Sequence, residues 1–190
     1  MNERGQTLLE MLTVLALMLM TVGAAIPALR AYSVESSILA AGRSFKEEFV
    51  KARSMAVRSN VYTAIRFDRS GEKPMFSVYA DRNGNGVLWA EIRAGVDERV
   101  AGPFPLSGRG QGVFVGFLPG IREVPPGTGF LEGDPIQFGA SDMCSFNPLG
   151  TASPGTFYLA GEGIQAAVRV TPGNSRVRLL LTRGSRWYER

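Results

Sequence analysis

From residue 11 to residue 29 the chain carries nineteen consecutive positions without a charge. A helix over that run rises 1.5 Å per residue and is roughly 28 Å long, about the hydrocarbon thickness of a bilayer. The pattern then changes. Over 36–58 the apolar residues Ile38, Ala41, Phe45, Phe49, Ala52 and Ala56 recur three and four apart, which predicts a helix with one buried face. Arg43, Lys46, Glu47, Lys51, Arg53 and Arg58 fall on its opposite side, the pattern of a solvated face. Pro27 is expected to bend the long helix without ending it, and Asn60 to stop it.

Beyond Asn60 glycine and proline punctuate short β-rich runs. Residues 61–68 and 75–80 read as strands with a turn over 69–72, and the turn 81–86 is followed by a third run, 87–93. Residues 102–135 read as irregular with short strands. The runs 136–138, 155–160, 164–171 and 176–182 complete an antiparallel set. A long helix followed by consecutive strands predicts an α+β fold, with the helix packed on an antiparallel sheet.

Glu10 stands at the head of the uncharged run, where burying an ionised group costs up to about 2.5–3.5 kcal/mol. A plain membrane anchor gives no reason for it. An ordinary secretory signal, cut after Val22-Gly23-Ala24, is shorter in its apolar part than this run. Neither explains Gly5 followed by Gln-Thr-Leu-Leu-Glu10. On Gly5, Thr7, Leu8, Leu9, Glu10 and Pro27 the chain resembles the type IV pilins and pseudopilins, departing at Gln6, where that family usually carries Phe. The resemblance implies a leader over 1–5, cut by prepilin peptidase between Gly5 and Gln6, with methylation of the new amino terminus. It implies a transmembrane and assembly helix over 6–30 and a periplasmic pilin-like domain over 31–190. It also implies that Glu10 meets the amino terminus of a neighbouring subunit in a filament.

Ala52-Arg-Ser-Met-Ala56, Asp81-x-Asn83-x-Asn85-Gly86, Ile136-Gln-Phe138, Gly155-Thr-Phe157 and the closing Arg176-Val-Arg178 narrow the resemblance to the H-type pseudopilins and FimT-like minor pilins. The expected function is therefore a structural subunit of a type IV pilus or type II secretion pseudopilus, assembled from the inner membrane with other pilin subunits. The alternative is a minor pilin that binds DNA for uptake.

Composition narrows the chemistry. At 190 residues the chain allows one modest domain beyond the anchor. It contains no histidine, which excludes His-based acid–base catalysis, a Ser-His-Asp arrangement and histidine metal sites. Cys144 is the only cysteine, so no internal disulfide can form, and a small apolar filler is the expected role. Gly108-Arg-Gly-Gln-Gly112 lacks the Lys-Ser/Thr of a phosphate-binding loop. No enzyme and no cofactor is expected.

Two motifs leave choices open. Asp81, Asn83, Asn85 and Gly86 match the first half of a calcium loop, but its twelfth position is Ile92 and Glu91 is one place off. The expectation is an Asn-Gly hairpin turn that needs no metal. Residues 164–190 hold Arg169, Arg176, Arg178, Arg183, Arg186 and Arg190 against Glu189 alone, six minus one, or +5, more than the +4 of the whole chain. A turn at Gly173-Asn174 places Arg169 opposite Arg178 and sets Arg169, Arg176 and Arg178 on one hairpin face. Facing like charges destabilise a sheet, so this face calls for an anionic partner. DNA phosphate suits arginine forks, and charges that keep an edge strand from pairing are the competing explanation.

Overall fold

The computed structural model describes the backbone of residues 3–70, 74–106, 110 and 112–190, and the side chains of the same residues other than 3–8 and 27–31. The Gly5, Gln6 and Pro27 side chains, and most of the glycine-rich stretch 108–112, lie outside the described residues. The chain divides into two compact units, Met1–Ser36 and Ser37–Arg190.

The first unit is helical, within α1 (Glu3–Ser59). Its window Leu9–Ile26 has a mean hydropathy of 2.1, buries no side chain, and is long and apolar enough to cross a membrane. The hydroxyls within it are satisfied locally: Thr13 Oγ1 donates to Glu10 O and Thr21 Oγ1 to Met18 O, both at 2.8 Å. Threonine therefore adds no unpaired donor to the apolar run.

The second unit opens with the remainder of α1, where Ile38, Ala41, Phe45, Phe49, Ala52 and Ala56 are all buried, the face that the sequence spacing predicts. The helix ends at Ser59. Asn60 takes φ 53°, and Val61 N donates to Ala56 O at 3.3 Å, a closure that satisfies an end carbonyl. After it come β1 (Thr63–Asp68), β2 (Met75–Ala80), a short helix α2 (Trp89–Ala94) and β3 (Glu98–Pro105). The rest is β4 (Phe114–Val115), β5 (Ile136–Gln137), β6 (Met143–Phe146), β7 (Gly155–Gly161), β8 (Ile164–Val170), β9 (Val177–Thr182) and β10 (Tyr188–Glu189).

The α+β class holds, with two antiparallel sheets in place of one. The first has the order β3-β2-β1-β6; the second runs β10-β9-β8-β7-β4, with β5 also paired to β7. The helix and both sheets meet in one aromatic core. Phe45 lies 5.8 Å from Phe76 of the first sheet and 4.6 Å from Phe157 of the second, and Phe67 stacks on Phe157 at 5.3 Å. Offset and tilted pairs of this kind contribute about 0.5–1.5 kcal/mol each beyond their burial.

Strands β7, β8 and β9 are covered on both faces. Phe157, Leu159, Val168 and Leu179 alternate with Tyr158, Ala167 and Leu180, and this second set forms its own cluster with Ile121, Val124 and Leu131. Segment 116–131 is thus a layer over the second sheet. Gln165, fully buried, fastens it: its Oε1 accepts from Leu118 N at 2.7 Å, and its Nε2 donates to Gly116 O at 2.9 Å and Leu159 O at 2.8 Å.

Three expectations are corrected. The run 87–93 is mostly helical: α2 closes at Gly95 (φ 75°), and Val87 and Ile92 pack on Ala64 and Met143. Val87 packs there from the loop before α2 and Ile92 from within the helix, so the two anchors do not need the alternation of a strand. The turn 81–86 is therefore no hairpin, and the positive φ angles fall on Gly84 and Gly86 instead of the asparagines. The second neighbour of β2, besides β1, is β3, which begins before the stretch that reads as irregular.

Candidate functional site

Along α1 the positions 43, 46, 50, 53 and 57 form one line beside the buried stripe. Arg43, Lys46, Glu47, Val50 and Lys51 line a hollow of about 520 Å³ with Arg190. Val50, Arg53, Ser54, Val57 and Arg58 line a second, also about 520 Å³, with Arg176 and Val177. Val50 belongs to both, so the two hollows adjoin. Together their walls hold seven cations (Arg43, Lys46, Lys51, Arg53, Arg58, Arg176, Arg190) and one acid, Glu47. Valines supply the apolar part of the wall. Such a surface suits an extended anionic partner, with guanidinium forks reaching its charged groups.

The hairpin next to it has the predicted register: Arg169 pairs with Arg178 and Val170 with Val177. The turn is longer than two residues, with positive φ at Gly173 and Ser175 and Ser175 N donating to Thr171 O. Arg53 Nη1 reaches Ser175 O at 3.4 Å and joins the helix to this turn.

The anion that the facing arginines call for is supplied within the chain. Arg176 Nη2 lies 2.9 Å from Glu189 Oε1, while Arg178 Nε and Nη2 lie 2.9 and 2.6 Å from Glu189 Oε2. The Arg178 hydrogen bond, with the charges of Arg178, Arg176 and Lys46, holds the Glu189 carboxyl below the usual range. Arg169 is also engaged: its Nη1 donates to Val124 O at 3.0 Å and Pro125 O at 3.1 Å and holds the covering layer. Trp187 has the same task, with Nε1 donating to Arg122 O at 3.0 Å.

Glu10 is exposed at the head of the apolar window Leu9–Ile26. Cys144 is fully buried with its thiol pushed up by burial, in keeping with a filler. The groove on α1 escapes a reading that treats its charges as a solvated face. The available signal is the spacing of Arg43, Lys46 and Arg53, three and seven apart, which lines cations up instead of scattering them. The clamp role of Glu189 has no such signal, because it needs β10 to lie beside β9.

In comparisons with protein-family models, curated proteins and solved structures, nothing matches the chain.

Proposed function

We propose that this chain is a membrane-anchored subunit of a helical filament, of the type IV pilin and pseudopilin kind, and within it of the H-type or FimT-like group. The observation that carries the reading is one continuous helix with two different faces to bury. Its Leu9–Ile26 part buries nothing within the chain and has Glu10 at its head, while its Ser37–Ser59 part supplies the core stripe of a β domain. The apolar part is first solvated by the inner membrane and then by the helices of neighbouring subunits. Glu10, costly in hydrocarbon, finds its counter-charge in a neighbour's amino terminus, freed by cleavage between Gly5 and Gln6. Such a subunit carries no catalysis of its own, and its partners are other pilin subunits and the prepilin peptidase.

Two measurements test this. Intact mass of the mature protein is expected to begin at Gln6; a start at Ala25 means an ordinary signal peptide and removes the filament role. Glu10→Ala is expected to abolish incorporation into filaments while the membrane-inserted precursor still accumulates. Unchanged incorporation refutes the assembly role of Glu10.

A second reading is favoured by the seven-cation groove: a minor subunit that holds DNA on its surface. Phosphate contacts then come from Arg43, Lys46, Arg53 and Arg58 more than from Arg169 and Arg176, whose guanidinium groups are already engaged by backbone carbonyls and by Glu189. Binding should show little sequence preference and weaken steeply with salt, because each contact releases a counterion. Absence of binding at tens of micromolar protein in low salt removes this reading.

A further inference from the structure

Among the described residues of the second unit, three buried side-chain oxygens have no hydrogen-bond partner: Thr63 Oγ1, Glu91 Oε2 and Asp97 Oδ1. Two are carboxylate oxygens, each the second oxygen of a group whose first is hydrogen-bonded, and a buried acceptor left without a partner costs free energy. Both belong to the segment that follows the Asp81-x-Asn83-x-Asn85-Gly86 motif.

The loop is already shaped. Asp81 is 3 % exposed; its Oδ1 accepts from Asn83 N and Gly84 N, both at 2.9 Å, and its Oδ2 from Gly86 N at 2.7 Å. These bonds wrap the backbone around one carboxylate and need the positive φ of Gly84 and Gly86, which side-chain-bearing residues rarely adopt. The Nδ2 groups of Asn83 and Asn85 converge on Glu91 Oε1 at 3.0 and 2.8 Å, so the Glu91 carboxylate sits across the mouth of the loop. Its other oxygen is the orphan. Asp97, also 3 % exposed, is held against the loop exit by Leu88 N, which donates to its Oδ2 at 2.9 Å, and its Oδ1 is left over. Val96 N and Asp97 N donate to Glu91 O at 2.9 and 3.4 Å, which ties the two carboxylate-bearing residues together. The nearest-neighbour cation in sequence, Arg82, is paired with Glu98.

We infer that segment 81–97 is a calcium site in which Glu91 and Asp97 supply the anionic oxygens and Asn83 and Asn85 the amide oxygens, on a loop shaped by Asp81. A half-turn of each asparagine amide exchanges Nδ2 for Oδ1, so the side chains that now face Glu91 as donors can face a cation beside it as acceptors. Among the described residues no three Asp, Glu, His or Cys side chains form a cage by themselves. The remaining positions fall to amide and backbone carbonyl oxygens and water, a mixed all-oxygen set that suits the flexible six- to eight-fold coordination of calcium better than rigid octahedral magnesium. The sequence departs from a standard loop only in placing its acid at position eleven, and α2 starts within the loop, at Trp89, and carries that acid round to the mouth. This inference does not rest on the filament reading.

The test uses the full chain in detergent micelles. Calcium is expected to raise the melting temperature over an EDTA control, by about 5–10 °C at a hundredfold excess over its dissociation constant. Magnesium at the same concentration should give a much smaller shift. Terbium, replacing calcium, should show emission sensitised by Trp89, with calcium displacing it and Trp89→Phe reducing it. Glu91→Gln and Asp97→Asn should each abolish the calcium shift, yet melt in EDTA no lower than the parent, because each removes a charge and keeps an amide oxygen to accept the existing N–H bonds. No calcium shift and no terbium emission overturns the inference, with water then satisfying the orphan oxygens. A shift of the same size in both variants, or an equal one with magnesium, overturns it as well.

Discussion

Replacing Gln165 with leucine should loosen the covering layer of the second sheet while leaving the aromatic core in place. Gln165 lies on the sheet face opposite the helix, beside Ala167 and Arg169, and has no exposed surface. It makes three hydrogen bonds, two of them to Gly116 and Leu118 of the layer. Each such bond contributes about 1 kcal/mol, and an N–H stranded away from water costs about 1–3 kcal/mol, with the partly buried Leu118 N–H at the lower end. Leucine returns part of this through its apolar surface, which leaves a net loss of about 2–4 kcal/mol. For a chain of this size that lowers the melting temperature by about 5–15 °C. The other fasteners, Arg169 on Val124 and Pro125 and Trp187 on Arg122, remain, so the layer should open locally before the whole unit unfolds. Hydrogen exchange read along the backbone is the discriminating assay: protection should fall over 116–131 far more than in β1 and β2. A melting point within about 2 °C of the parent, or a loss of protection spread evenly over both sheets, refutes this role for Gln165.

A methyl group at Gly155 would meet Gln137 O at 2.5 Å and crowd the ring of Phe138, so Gly155→Ala should cost about 1–3 kcal/mol in a denaturant titration. Glu189→Gln should leave the fold intact and free Arg176 and Arg178; if the groove holds DNA, affinity for any duplex rises and the salt slope steepens by up to about 1.8, or 0.9 for each released arginine, in an anisotropy titration. Hydrogen bonds from Ser70 hold Asp68 below its usual range, backbone N–H groups outweigh burial to lower Asp81, and Arg178 lowers Glu189. These three carboxylates add stability above the ordinary carboxylate range, and that part is lost as pH falls through their lowered values. Thermal melts should therefore be flat from about pH 7 to pH 5 and fall below, and a melting point that rises on acidification contradicts the assignment.

Repeating local patterns determined a large part of this protein. The uncharged run 11–29, the six-residue stripe from Ile38 to Ala56, the stop at Asn60 and the register of Arg169 against Arg178 are all legible along the chain, because each follows from the period of a helix or strand and from turn chemistry. The division into two sheets, the 116–131 layer and the helical turn at Trp89 depend on partners distant in sequence. Gln165 reads as a polar break in a strand until Leu118 and Gly116 are brought to it 47 and 49 residues away. The same holds for charge. A sequence counts six arginines and one glutamate, but only strand pairing decides that Glu189 falls between Arg176 and Arg178, that Arg169 turns to backbone carbonyls, and that the helix cations line a groove. Periodicity is a property of neighbours along the chain, whereas the neutralisation of a charge or the satisfaction of a buried amide is set within about 3 Å in space, and that distance exists only once the sheets have closed on the helix.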